Sequence, residues 1–168
     1  LKTKPYLRLV AGFFTGTFAG LLIIGSLTTI GARFEIENHT LVLGVSLFAI
    51  ANSIGRISWG YLSDLAGANI SVLFALTFQA IAIFFIGHTS LTPFSYLLLA
   101  SLTGFGFGSN FVLFARETAQ IFGLKNFGSI YPYIFLGYSL AGILGPVTGG
   151  LLYDIFNNFR SEEHTSEL

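Results

Sequence analysis

The chain has no cysteine and few charges: 10% of its 168 residues are Asp, Glu, Lys or Arg. Without cysteine there is no disulfide framework and no thiolate metal site. A soluble domain carries about 25% charge, so the scarcity argues against a water-bathed surface. The three histidines are scattered and form no metal constellation. No basic cluster points to nucleic acid. There is no nucleophile–base pair, no metal set and no phosphate loop, so an enzyme is the least favoured class and no cofactor is expected. The run GFGFG at 104–108 lies inside an apolar stretch. It lacks the strand–turn–helix context of a nucleotide site. Lys2, Lys4 and Arg8 precede no short apolar segment with a cleavage site, so a secretory leader is not indicated.

What the chain has in excess is apolar length. It is 53% hydrophobic, with a mean hydropathy of +0.75. A spanning helix needs about 20 mostly apolar residues to cross roughly 30 Å of hydrocarbon. Five stretches meet that requirement, near residues 6–31, 41–62, 70–87, 94–114 and 130–153. Turn-forming residues mark connectors at 35–40, 64–69, 88–93 and 123–128. The expected fold is an all-α membrane protein, a bundle of five transmembrane helices embedded in a lipid bilayer. Alternation of the connectors puts Lys2, Lys4, Arg8, Arg116 and Lys125 on one side, and only Arg33 on the other. The positive-inside rule then makes loops 64–69 and 116–126 cytoplasmic. A bacterial or plasma (inner) membrane is the expected location.

The chain begins with Leu1 rather than Met, and is read as cut from a longer protein. Its last residues, 160–168 (RSEEHTSEL), hold three of the eight acidic residues and resemble the translation of a sequencing adapter. They are set aside, leaving 1–159 as the native segment, expected to have continued past Phe159 into at least one more helix.

Glycine is abundant, at 20 residues. Gly12, Gly16 and Gly20 recur every four residues, as do Gly104 and Gly108, and Gly145 and Gly149. Small residues at this spacing let helix backbones approach closely. They serve packing and are also compatible with helices that rock past one another. Pro146 lies inside the fifth stretch and Pro132 near its start. Each removes a backbone donor and can kink a helix. The 19 phenylalanines are read as mostly lipid-facing bulk, a few of them lining a dry gate.

The segment 52–67, NSIGRISWGYLSDLAG, is the most specific. Gly60-Tyr61-Leu62-Ser63-Asp64 followed by Gly67 resembles the G-x-L-a-D-r-x-G signature of the major facilitator superfamily. Leu65, Ala68 and Asn69 stand where that signature carries basic residues. Three further stretches are similar to the branch of oxalate/formate antiporters and monocarboxylate transporters: residues 16–21 (GTFAGL), 122–128 (FGLKNFG) and 141–146 (AGILGP). The resemblance implies a secondary transporter of small organic anions working by alternating access, with protons or a counter-anion as coupling partner. One span before the signature and three after it imply helices 7–11 of a twelve-helix fold. The N-terminal half and helix 12 would then be missing partners.

Arg56 is the charge of most interest. It lies eight residues before Asp64, about 12 Å into the span at 1.5 Å per residue. A charge at that depth is costly unless paired or facing water. In the resembling branch, an Arg four residues before the signature Gly binds the substrate carboxylate, and Arg56 has that spacing from Gly60. A guanidinium offers two parallel donors to a carboxylate. Snorkelling toward the cytoplasm, or a structural pairing with an acid, are the plain alternatives. Asn52 extends the polar face where monocarboxylate transporters often carry an Asp, which leaves their mode of proton coupling in question.

Asp64 is expected to latch the cytoplasmic side by capping the start of the fifth helix, or else to be a solvated loop carboxylate. Arg116 and Glu117 read as an interfacial anchor, either of which can join the Asp64 network. Trp59 reads as packing. Tyr138 stands where some dicarboxylate-handling relatives carry a Lys. One cation instead of two suits a monoanion. Asn110, Tyr131 and Tyr133 are further pore candidates, with packing as the plainer reading of each. The competing functions are multidrug or other solute efflux, which predicts a large aromatic cavity and no dependence on Arg56, and a non-transporting receptor or assembly subunit.

Overall fold

The computed structural model describes the backbone of residues 4–166 and side chains of residues 4–154. Five helices follow in order: α1 (Lys4–Ala32), α2 (Asn38–Ala66), α3 (Ala68–His88), α4 (Pro93–Phe122) and α5 (Leu124–Ser166). Each is long and apolar enough to cross a membrane, with the apolar part of α5 ending at Asp154. The tail set aside above, 160–168, lies outside the residues whose side chains are described.

Two expected connectors are far shorter than the composition suggested. The connector 64–69 contracts to Gly67, and 123–128 contracts to Gly123. Their backbones sit at φ 85°, ψ 152° and φ 79°, ψ 151°. This region is in effect reserved for glycine, so one residue ends a helix and starts the next. Arg116 and Glu117 therefore lie on the last turns of α4 rather than in a loop. The turn before α4 is fixed by a reciprocal cap. Thr92 accepts from the Ser95 amide, the Ser95 hydroxyl accepts from the Thr92 amide, and Pro93 follows.

The helices pack in two main pairs, α2 with α4 and α1 with α5, while α3 lies against α4 and α1 touches α4. Among the described residues α2 and α5 share no close backbone contact. They stand apart as the two sides of a cleft floored by α4.

Glycine sets the approach in both pairs. In α2·α4, Gly55 faces the Phe105 carbonyl, Gly104 the Phe48 carbonyl, and Gly108 the Asn52 carbonyl, each too close for a Cβ. In α1·α5, Gly145 meets the backbone of Leu22, and Gly149 meets Ser26. Between α1 and α4, Gly12 receives Phe114, Gly16 receives Asn110, and Gly20 receives Phe107. Pro132 and Pro146 are both inside α5.

The phenylalanines are not mainly lipid-facing bulk. Among the described residues only Phe34, Phe74, Phe84, Phe85 and Phe94 are exposed. Several of the others interlock along the helix seams, with Phe13 of α1 against Phe114 of α4 at 5.2 Å between centroids and Phe48 of α2 against Phe107 of α4 at 5.8 Å. Ring pairs of this geometry add attraction in a setting where apolar contact with lipid is no worse than contact with protein.

Candidate functional site

Arg56 lies on α2, ten residues before its end, so about 15 Å along the helix from the Gly67 break. Its side chain is exposed on the protein surface, next to the α2–α5 cleft. The guanidinium carbon sits 4.3 Å from the centroid of the Phe111 ring of α4. This is cation–π distance. From α5 an aromatic row closes on the same ring: Tyr138 at 5.3 Å and Phe135 at 6.4 Å. The Tyr131 hydroxyl donates to the Phe111 carbonyl at 3.4 Å. Arg56, Phe111, Tyr131, Phe135 and Tyr138 thus form one cluster drawn from α2, α4 and α5. No carboxylate pairs with Arg56 among the described residues.

A guanidinium resting on a ring has one face covered and its in-plane N–H groups free. Those groups are the ones that bind a carboxylate in parallel. Asn52, one turn earlier, has its Oδ1 buried without a partner beside Gly108. Trp59 is buried and its indole donates to the Phe105 carbonyl at 3.2 Å, which pins α2 to α4 on the side away from the cleft.

Asp64 does not meet the start of α5. It forms an ion pair with Arg116 of α4. Arg116 also donates to the Ser63 hydroxyl at 2.9 Å, and that hydroxyl donates to the Gly60 carbonyl at 2.7 Å. The longer α4 carries Arg116 to the loop, while α5 stays clear of α2. Gly60 lies under Val112, where a Cβ would come to 3.3 Å. The signature segment is therefore tied to α4.

Asn110 is not on the cleft. It is fully buried and donates to the Gln79 side chain at 3.1 Å and to the Phe107 carbonyl at 3.1 Å. Gln79 in turn donates to the Gly16 carbonyl at 2.8 Å. The two amides tie α1, α3 and α4 together within the apolar interior. Tyr133 is exposed on α5 and Tyr131 is half-buried. Sequence reasoning missed Phe111 and Gln79. Phe111 carries no signal among 19 phenylalanines. Gln79 does: it is the lone side-chain amide in the apolar interior of α3, between the end residues Asn69 and His88.

Five apolar spanning helices, glycine-closed seams and an arginine within a span define a polytopic membrane protein with the build of a solute carrier. The chain belongs to the Major Facilitator Superfamily, whose sequence profile matches residues 6–161. It is 27% identical to the oxalate:formate antiporter of Oxalobacter formigenes over 95% of this chain and 38% of that protein. It is 31% identical to apicoplast pyruvate carrier 1 of Toxoplasma gondii over 86% of this chain and 26% of that protein. Multidrug transporter DTR1 of Candida glabrata is 27% identical over 92% of this chain and 29% of that protein. The chain spans less than two fifths of the length of these relatives. All three names denote transport rather than catalysis.

Proposed function

We propose that the chain is helices 7–11 of a secondary active transporter of small organic anions, in which Arg56 binds the substrate carboxylate. The observation that carries this reading is the state of Arg56: well inside a span, between α2 and α5, over the Phe111 ring and with no carboxylate partner among the described residues. A permanent cation held that way is best used by an anion that comes and goes. The names of two relatives, an oxalate:formate antiporter and a pyruvate carrier, agree in substrate chemistry. Alternating access rocks this half against an N-terminal half about a site near the midplane. Protons or a counter-anion are the coupling partner. Asn52 carries no ionisable group, which favours exchange of anions over a proton route through that position. Tyr138 supplies a hydroxyl where a second cation would suit a dianion, so a monoanion such as formate or lactate is the preferred cargo. The signature loop at Asp64 and the Lys125 end face the cytoplasm.

A second reading has its own support. The cleft wall of Phe111, Phe135 and Tyr138 is aromatic, and another relative is named a multidrug transporter. Uptake into proteoliposomes holding the full-length protein separates the two. Labelled formate, lactate and oxalate are compared with a hydrophobic cationic drug. The anion reading expects saturable carboxylate uptake and none of the drug. Drug movement without carboxylate uptake overturns it.

A further inference from the structure

At the Gly67 end of the bundle, three helix faces converge on a cavity of about 340 Å³. From α1 come Pro5, Arg8, Leu9 and Gly12, from α3 Asn69 and Val72, and from α4 Phe114, Glu117 and Ile121. The α1 and α4 residues are spaced by three and four, so each set is one helical face. Two charged side chains line this space, Arg8 and Glu117, on different helices and of opposite sign.

Glu117 is in an unfinished state. Its Oε2 is buried and has no hydrogen-bond partner. A carboxylate oxygen withdrawn from water needs a donor or a cation. The neighbouring Arg116 does not serve, because it is committed to Asp64 and Ser63 on α2. The N-terminal end of α3 offers the Asn69 side-chain amide and free backbone N–H groups as donors, but no hydrogen bond from them reaches Oε2, and Ala68 and Asn69 carry no cation. No residue of α5 lines the cavity. Arg8 remains, exposed and with no salt-bridge partner among the described residues. It lies one turn from Gly12, where the absence of a side chain lets α1 approach the Phe114 ring of α4.

We propose that Arg8 swings into this cavity to pair with Glu117, forming a second ion pair that locks α1 to α4 in one access state and opens in the other. The arrangement divides the end of α4 between two partners. Arg116 holds α2 through Asp64, and Glu117 takes or releases α1. The cavity is the space that the arginine arm vacates. The pair lies outside the Arg56 cleft and does not depend on which solute is carried.

The test needs no substrate. In the full-length protein, Arg8→Lys puts a primary amine at the cavity. A carbodiimide joins an amine to a carboxyl as an amide only when the two meet, with loss of one water taken up as the urea. Mass spectrometry then looks for a peptide linking positions 8 and 117. The pair predicts that link, and its loss in Arg8→Lys/Glu117→Gln. Its absence in Arg8→Lys protein that is folded by size-exclusion chromatography overturns the proposal. Charge reversal gives an independent reading. Arg8→Glu and Glu117→Arg each lower the thermal midpoint, and the double exchange restores it. A double exchange no more stable than the worse single variant also overturns it.

Discussion

At the scale of single residues, some charges are committed to a partner and others are not. Arg56 leans on Phe111, whereas Arg116 is spent on Asp64. The Asp64–Arg116 pair is part-exposed, with side-chain exposures of 63% and 31%. Such a pair adds at most about 1 kcal/mol. Asp64→Asn should therefore lower the unfolding free energy by no more than about 1 kcal/mol, while changing the rate at which the carrier reorients. Chemical unfolding in detergent set against exchange kinetics separates the two, and a rate unchanged from wild type would remove Asp64 from gating. Tyr138→Lys should shift preference from formate toward oxalate by about tenfold, the worth of one charge-assisted contact of roughly 1.5 kcal/mol. Competition between the two anions for uptake reads that shift. The roles of Asn110 and Phe111 were not legible in the sequence. Both follow Gly108 on one turn of α4, and only the rotation of that helix decides which faces the core and which the cleft. Side-chain type cannot supply that rotation. Arg116 joined Asp64 as one of the expected partners, but the expected cap on the fifth helix is not seen, for a related reason. The partner of a loop carboxylate depends on where the neighbouring helix stops, and α4 runs eight residues past its expected end.

At the scale of elements, five spans are readable from apolar length alone, because the bilayer sets a minimum that chance rarely meets. Their ends are less readable. Gly67 and Gly123 each end one helix and start another without a loop, a compactness that a glycine among polar residues does not announce. The glycine repeats at 12–20, 104–108 and 145–149 were visible as repeats, but the partner of each was not. Gly55, on the facing side of α2, fell outside any repeat and yet meets the Phe105 carbonyl. Gly55→Val should force α2 from α4 at a cost of about 1–3 kcal/mol. Thermal unfolding in detergent measures it, and a midpoint equal to wild type would mean that the seam yields freely. Gln79→Leu should cost about 0.6–2 kcal/mol, the range for interhelical hydrogen bonds in membranes. The same unfolding experiment checks it, with a smaller loss expected than for Gly55→Val.

At the scale of the whole molecule, α2 and α5 stand apart with Arg56 at the opening between them. Under the proposed function, a cleft of that kind, in a chain spanning less than two fifths of its relatives, would be one side of a site. The proposed orientation rests on basic residues gathered at one end of the bundle. Because this chain has no cysteine of its own, single cysteines introduced at residues 65 and 125 should react with an impermeant thiol reagent only from the cytoplasmic side. Those at residues 37 and 90 should react only from outside, and reversed labelling would invert the topology. The superfamily could be read in the sequence because its signature loop is a local string of residues. The solute could not, since the proposed site draws its residues from three separate helices, α2, α4 and α5, which the sequence alone does not bring together. The most direct test of the central claim is carboxylate uptake by the full-length protein carrying Arg56→Ala, measured in proteoliposomes beside wild type at equal protein content. Loss of a bidentate, charge-assisted contact should lower uptake about a hundredfold, corresponding to roughly 3 kcal/mol, with Arg56→Lys falling between. Uptake by Arg56→Ala equal to that of wild type would contradict the account.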